Sequence, residues 1–230
     1  GELPLRGKPQ TLPAVIWYRA VLPLGARSLN RPDVRGDWEI FLNHRPLVVP
    51  ASGPVPLPEK VATNSVISLR VRIQRAEDGL QAPLAFHCQP ARAELGDWQA
   101  LGLDWYSGRA VYRTTFELPA AYAGRKLTLD LGELCYTGEV WLNGKLAGSL
   151  AWPPYEVDIT RFATAGKNEL VVVAANLLAN RMRWDIFDSA IPGQFSRWWH
   201  DGSILREAEH LRSGLLGPVR IKAEAPPATR

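Results

Sequence analysis

Aromatic and hydrogen-bonding side chains crowd together between Leu177 and Leu215. Trp184, Phe187, Phe195, Trp198, Trp199 and His200 fall within 17 residues, among Asn180, Arg181, Arg183, Asp185, Asp188, Arg197 and Asp201. Flat rings stack on the apolar C–H faces of sugars, with large contact area and a polar handle on Trp and Tyr. Amides, carboxylates and guanidiniums then take the hydroxyls. This mixture is the composition of a carbohydrate site, and equally that of a surface docking on another domain or of a loop packing on itself. A second aromatic pair, Trp152 and Tyr155, brackets Pro153-Pro154. It reads either as a rigid turn anchored by its rings or as a sugar platform. The candidate ligand-binding residues are therefore Trp152, Tyr155, Asn180, Arg181, Trp184, Trp198, Trp199 and His200.

Catalysis finds thinner support. Glycoside hydrolysis needs two carboxyl groups roughly 5–10 Å apart. Asp185, Asp188, Asp201 and Glu207, with Glu209 beside them, are the residues that could supply such a pair. Carboxylates in a polar loop are more ordinarily solvated charges. No Gly-x-Ser-x-Gly elbow or His-Glu-x-x-His motif occurs, and four histidines spread along the chain argue against a Ser-His or zinc site. His87 reads as a strand residue and His44 as a hairpin residue. Calcium would need six to eight oxygens. Asp130 and Asp158 lie near loops, but no oxygen-rich loop of regular spacing surrounds them, so no cofactor is expected and a structural calcium is only left open.

The bulk properties narrow the classes further. The chain of 230 residues can hold one large domain or two of about 100–120 residues each. Its net charge of +4 is dispersed without a block of like sign, which speaks against a nucleic-acid partner. No apolar run reaches the ~18 residues of a membrane-spanning helix. The start, Gly1-Glu2-Leu3-Pro4, lacks a charged-then-apolar signal pattern, as in a mature domain or a piece of a longer chain. Cys88 and Cys135 form no metal or redox motif, and each is expected to be a buried free thiol in a strand.

The elements that must position these residues are strands, arranged twice. Ile16–Pro23 is echoed by Val111–Pro119, and Trp38–His44 by Glu139–Gly144. Asn64–Val71 is echoed by Asn168–Val173 and, loosely, Pro83–Cys88 by Pro218–Lys222. Four matches in one order at a spacing near one hundred residues indicate a duplicated domain. Leu127–Leu131 and Ser68–Ile73 alternate apolar and polar, as half-buried strands do. Asn143-Gly144 between apolar runs predicts a tight hairpin. Nineteen Pro and nineteen Gly interrupt the chain too often for long helices. The spacing of the matches widens before the last pair, so the second copy has gained a segment within about 177–215. Trp17, Trp38 and Trp141 lie in strand patterns and are expected in the core or on a sheet face. Trp98 and Trp105 flank the link and are expected to pack between the two halves.

The second half also resembles a known family. Tyr112–Phe116, Leu129–Gly132, Glu139–Lys145, Tyr155–Thr160 and Gly166–Leu170 are similar to the galactose-binding-like jelly roll that serves as sugar-binding domain in family 2 glycoside hydrolases. Ala151–Tyr155, Asn180-Arg181, Gly214–Val219, Leu95–Trp98 and Tyr106–Gly108 resemble more closely the C-terminal β-domains of bacterial α-L-rhamnosidase-like hydrolases. The resemblance covers about residues 95–223 and fades over 12–92, where the Tyr155–Thr160 segment finds no counterpart. It implies an all-β chain of two tandem jelly-roll sandwiches, 12–92 and 93–224. It further implies a non-catalytic, carbohydrate-binding accessory module of a plant or microbial polysaccharide-degrading enzyme, located outside the cell or in the periplasm. Its partners would be an oligo- or polysaccharide and a catalytic glycoside-hydrolase domain. Family catalytic carboxylates reside in a separate barrel of about 250 residues, so none is carried over to this chain. The alternatives are a purely structural domain docked on such a barrel, or a small stand-alone glycosidase.

Overall fold

Period-two alternation dominates the strands. In β7 (Val66–Ile73) Ile67, Leu69, Val71 and Ile73 point inward, and in β16 (Gly166–Ala175) Leu170, Val172 and Ala174 do so. A computed structural model shows both as central strands of antiparallel sheets, describing residues 12–59, 61–62, 64–122, 124–180 and 211–224. The described residues divide into two units, one of residues 12–93 with 99–106, the other of 94–98, 107–180 and 211–224.

The first unit packs a sheet of β1 (Ala14–Val21), β7, β4 (Asp37–Leu42) and β5 (Arg45–Pro46), in that order. The other strands are β6 (Val55–Pro56), β2 (Ala26–Leu29) and β9 (Phe86–Cys88) in one group, and β3 (Val34–Arg35) with β8 (Gly79–Leu80) in another. The second unit has the same plan. Its large sheet runs β10 (Arg109–Leu118), β16, β13 (Thr137–Leu142), β14 (Lys145–Leu150). Opposite lie β15 (Glu156–Asp158), β11 (Leu127–Asp130) and β18 (Arg220–Ala223), with β12 (Glu133–Cys135) paired to β17 (Gly214–Gly217). Strand for strand, the second order repeats the first. The protein is an all-β structure of tandem jelly-roll sandwiches.

Register makes the repeat residue-specific. Leu42 faces Ile67 as Leu142 faces Leu170, so Ile67 is the counterpart of Leu170 and Ser65 that of Asn168. The match of Asn64 with Asn168 drawn from sequence is therefore one residue out. A slip of one would exchange inward and outward faces. The cause is a substitution in a shared turn. Asn43 and Asn143 both hold the left-handed conformation, with φ of 46° and 50°. Their amides donate to Ser65 Oγ at 2.9 Å in the first copy and to Asn168 Oδ1 at 2.8 Å in the second. A serine and an asparagine thus do one job, which identity matching misses. The counterpart of Tyr155–Thr160, absent from the sequence comparison, is Val55–Leu57. Leu57 N donates to Arg27 O and Ile159 N to Leu127 O, both at 2.9 Å.

One interaction recurs across each sandwich. The Tyr18 hydroxyl accepts the Leu80 amide at 3.2 Å, and the Tyr112 hydroxyl accepts the Leu215 amide at 3.1 Å. The preceding residue is glycine in both, Gly79 at φ 134° and Gly214 at φ 103°. A Cβ on Gly214 would lie 2.9 Å from the tyrosine oxygen and 2.3 Å from Trp98 Nε1. Trp98, 1% exposed, donates that Nε1–H to Tyr112 at 2.6 Å. It is buried over Gly214, bonded within the second unit. Trp105 makes an edge contact with Tyr106 at 6.3 Å. Trp17 and Trp141 stand on sheet faces, whereas Trp38 packs partly buried against the first core. Cys135 is buried, but Cys88, in the short β9, is exposed, against expectation; both are free thiols. The three-residue β9 leaves its outer end open, so alternation does not bury that side chain.

Tyr112→Phe should strand two buried donors, Trp98 Nε1–H and Leu215 N–H, whereas Tyr18→Phe strands one. At about 1–3 kcal/mol per unsatisfied group, urea denaturation should show a visibly larger loss for Tyr112→Phe. Equal losses would refute this account of the lock.

Candidate functional site

The crossover between the two faces is where the copies part. In the first, residues 74–78 carry the chain from β7 to β8 in a turn closed by Asp78. Its carboxylate accepts the Gln74 and Arg75 amides at 2.8 and 2.9 Å, and these bonds hold it below the usual carboxylate range. In the second, the chain between β16 and β17 takes residues 176–213.

A buried polar collar clamps the two ends of that segment. Ser213 is 1% exposed, and its Oγ accepts the side-chain amides of Asn176 at 3.0 Å and Asn180 at 2.8 Å. Asn180 Nδ2 also donates to Leu211 O at 3.2 Å. Asn176 Oδ1 accepts the Gly108 amide at 2.9 Å, and Ser107 Oγ donates to Leu177 O at 3.0 Å. The Ser213 amide donates to Asp97 Oδ1 at 3.2 Å, while its carbonyl accepts the Trp98 amide at 3.0 Å. Asn180 Oδ1 is buried and accepts no hydrogen bond among the described residues. Asn180 is thus built into the root of the insertion, its amide group spent on holding the exit strand. Sequence reasoning missed Ser213, Asn176 and Asp97, because their partners lie up to 116 residues away. The only local signal was polar residues at either end of an aromatic-rich stretch.

The Pro-Pro loop between β14 and β15 divides its two rings. Tyr155 is buried and donates its hydroxyl to Tyr136 O at 3.0 Å, and burial pushes its phenol up. Trp152 is 76% exposed. One ring anchors the turn and the other is presented to solvent, so sugar stacking can involve Trp152 without disturbing Tyr155. The remaining sequence-derived residues, Arg181, Trp184, Trp198, Trp199 and His200, with the carboxylates Asp185, Asp188, Asp201, Glu207 and Glu209, lie outside the described residues.

The carboxylates considered for calcium are occupied by protein partners. Asp130 pairs with Lys222 at 2.7 Å and accepts the Gly132 amide at 2.8 Å, the lysine chiefly lowering its pKa. Asp158 accepts the Thr160 amide at 2.9 Å, its bonds to Thr160 likewise lowering it. Among the described residues no three His, Cys, Asp or Glu side chains gather into a metal-binding group, and no helix is long and apolar enough to cross a membrane. His44 and His87 sit in the hairpin and strand expected of them, His87 Nε2 at 2.7 Å from Asn30 Oδ1.

Ser213→Ala should remove the acceptor for two buried amides and cost about 1–3 kcal/mol in urea denaturation. Ser149→Ala, at an exposed position, should stay within about 0.5 kcal/mol. A neutral Ser213→Ala would mean that the collar does not hold the root.

Residues 95–194 match the model of the glycosyl hydrolase 2 galactose-binding domain-like family. A putative β-glucuronidase of Formosa agariphila is 34% identical over 160 residues, covering 56% of this chain and 13% of the relative. A β-glucuronidase of Paenibacillus borealis is 33% identical over 120 residues, covering 50% of this chain and 20% of the relative. Among solved structures, the rhamnosidase of Novosphingobium sp. PP1Y is 24% identical, covering 89% of this chain and 22% of that one with a TM-score of 0.41. The chain spans at most about a fifth of the length of these curated relatives. It contains a jelly-roll domain that resembles the galactose-binding-like domains of family 2 glycosyl hydrolases.

Proposed function

We propose that the chain is a non-catalytic, carbohydrate-binding accessory part of a larger polysaccharide-degrading glycoside hydrolase of the α-L-rhamnosidase-like kind. The observation that carries this reading is the family match of residues 95–194 to a galactose-binding-like domain. Both curated relatives bear glycosidase names and extend far beyond the aligned segment. In this proposal the sandwich is a rigid frame, and ligand contacts come from its loops, as is common where binding residues ride on a scaffold. Trp152 offers an exposed ring, and the Asn176–Asn180–Ser213 collar fixes the ends of the segment holding Trp184, Trp198 and Trp199. A shallow loop site of this kind buries few ligand atoms, so dissociation constants should fall at about micromolar to millimolar.

A second reading is favoured by a separate observation. The outward face of β10, β16, β13 and β14 carries an apolar patch, with Val111 55% and Leu146 45% exposed and Val171, Val173 and Trp141 partly so, beside the Arg109–Glu139 ion pair. Such a surface suits a neighbouring catalytic domain. Under that reading the second sandwich supports the catalytic domain and binds no glycan.

Affinity electrophoresis and reducing-sugar release on rhamnose-, galactose- and uronate-containing glycans separate the possibilities. Retention without release is expected, weakened at least tenfold by Trp198→Ala, Trp199→Ala or Trp152→Ala with the thermal transition unchanged. Retention untouched by all three variants would remove the aromatic loops from the site. Absent retention, with Val111→Lys disturbing assembly with the catalytic domain, would leave the supporting role. Release of sugar would overturn the non-catalytic reading and direct attention to Asp185, Asp188, Asp201 and Glu207.

A further inference from the structure

We infer that the outward face of the large sheet in the first sandwich binds a carboxylate-bearing sugar residue, such as a hexuronate, an inference that rests on the carbohydrate reading above. Register sets two rows of side chains across β1, β7 and β4. Trp17 lies opposite Arg70 and Arg70 opposite Glu39, while Arg72 lies opposite Asp37. A hollow of about 210 Å³ opens over them, lined by Asp37, Trp38, Glu39, Arg70 and Arg72. On the neighbouring strand Trp17 is 41% exposed, with the Arg70 guanidinium 5.9 Å from its ring centre. The Arg19 guanidinium lies 5.8 Å from the same ring.

The charges on this face are not balanced pairwise. Arg70 is ion-paired with Glu39. Arg72 is exposed and forms no ion pair among the described residues, although Asp37 is its neighbour across the strands. Three guanidiniums, with Arg19, stand against two carboxylates. A guanidinium presents parallel N–H donors that match a carboxylate in bidentate fashion. An exposed indole beside it takes the C–H face of a pyranose. Asp37 and Glu39 can then accept hydroxyl hydrogens at the rim. A neutral sugar would satisfy the ring and the rim but leave the surplus guanidinium unused.

The second sandwich shows that the fold does not require these residues. At the same register positions Trp17 is replaced by Val111, Arg70 by Val173, Arg72 by Ala175 and Asp37 by Thr137. The fold therefore tolerates small or aliphatic side chains at these four positions. Trp17, Arg70, Arg72 and Asp37 are particular to the first copy, whereas Arg19 and Glu39 recur as Arg113 and Glu139, so the indole and the two guanidiniums of β7 are what distinguish this face.

The test is a titration of the whole chain with sodium glucuronate and sodium galacturonate, followed by the indole N–H resonance of Trp17, assigned with Trp17→Phe. Glucose and galactose serve as neutral counterparts. Saturable shifts are expected with the acids, at least tenfold weaker binding of the neutral sugars, and loss of affinity at high salt. The double variant Arg70→Val, Arg72→Ala carries the side chains of the second copy, so it should keep the thermal transition while binding the acids at least tenfold more weakly. Should that variant unfold, Arg72→Gln tests the same cation with little change in shape and should weaken the acids at least threefold. Equal affinity for acid and neutral sugars, full affinity in the variants, or no shift of Trp17 at tens of millimolar acid would overturn the inference. The two proposals fail separately. Shifts at Trp17 with no glycan retained through Trp152, Trp198 or Trp199 would sink the earlier reading of the second sandwich alone. Retention there without shifts at Trp17 would sink only this one.

Discussion

A tyrosine hydroxyl set over a glycine governs how each sandwich closes. The residue after the glycine turns its amide toward the tyrosine, and a position without Cβ lets the tyrosine hydroxyl come that close to the strand. In the first unit the bond from Leu80 to Tyr18 secures β8; in the second, Tyr112 takes both the Leu215 amide and the Trp98 indole. The added indole is not incidental. The second copy must hold β17 at the end of a long insertion, where loop closure costs more chain entropy than a five-residue turn. Trp98, Gly214 and Tyr112 form one buried unit at that point, and the Ser213 collar adjoins it directly.

The two copies diverge where the shared frame leaves them free. Equivalent strands carry equivalent inward residues in both copies, because each must fill a core at near-crystalline density. Outward and loop positions are free of that demand, and there the copies diverge. One crossover is a tight turn capped by Asp78, whereas the other is an aromatic-rich segment. One large sheet shows Trp17, Arg70 and Arg72 to solvent, and the other shows Val111, Val173 and Ala175. The two copies thus differ at different places on one plan, the first on a sheet face and the second in its crossover.

Hydrogen-bonded side chains explain where reading by identity went astray. Ser65 and Asn168 both receive the amide of a hairpin asparagine, so a match of Asn64 to Asn168 looks right and is one residue out. Trp98 is placed by sequence only in the link, whereas its buried Nε1–H is met by the Tyr112 hydroxyl, 14 residues on. Tyr155 and Trp152 were equal as sequence, yet only one of them faces solvent.

The sequence by itself determined the all-β class, the duplication, the Asn-Gly hairpin and the location of the insertion, because alternation and turn chemistry are local and repeat at a fixed spacing. It also resembled a galactose-binding-like domain over the second half, through motifs that are contiguous in the chain. Tertiary structure alone decided the one-residue register of the copies, the burial of Trp98, and the convergence of Asp97, Asn176, Asn180 and Ser213 on one root. It alone set Trp17 beside Arg70 and Arg70 beside Glu39. These are contacts between residues tens to more than a hundred positions apart, fixed by strand pairing and by the need to satisfy buried donors, and no local pattern encodes them.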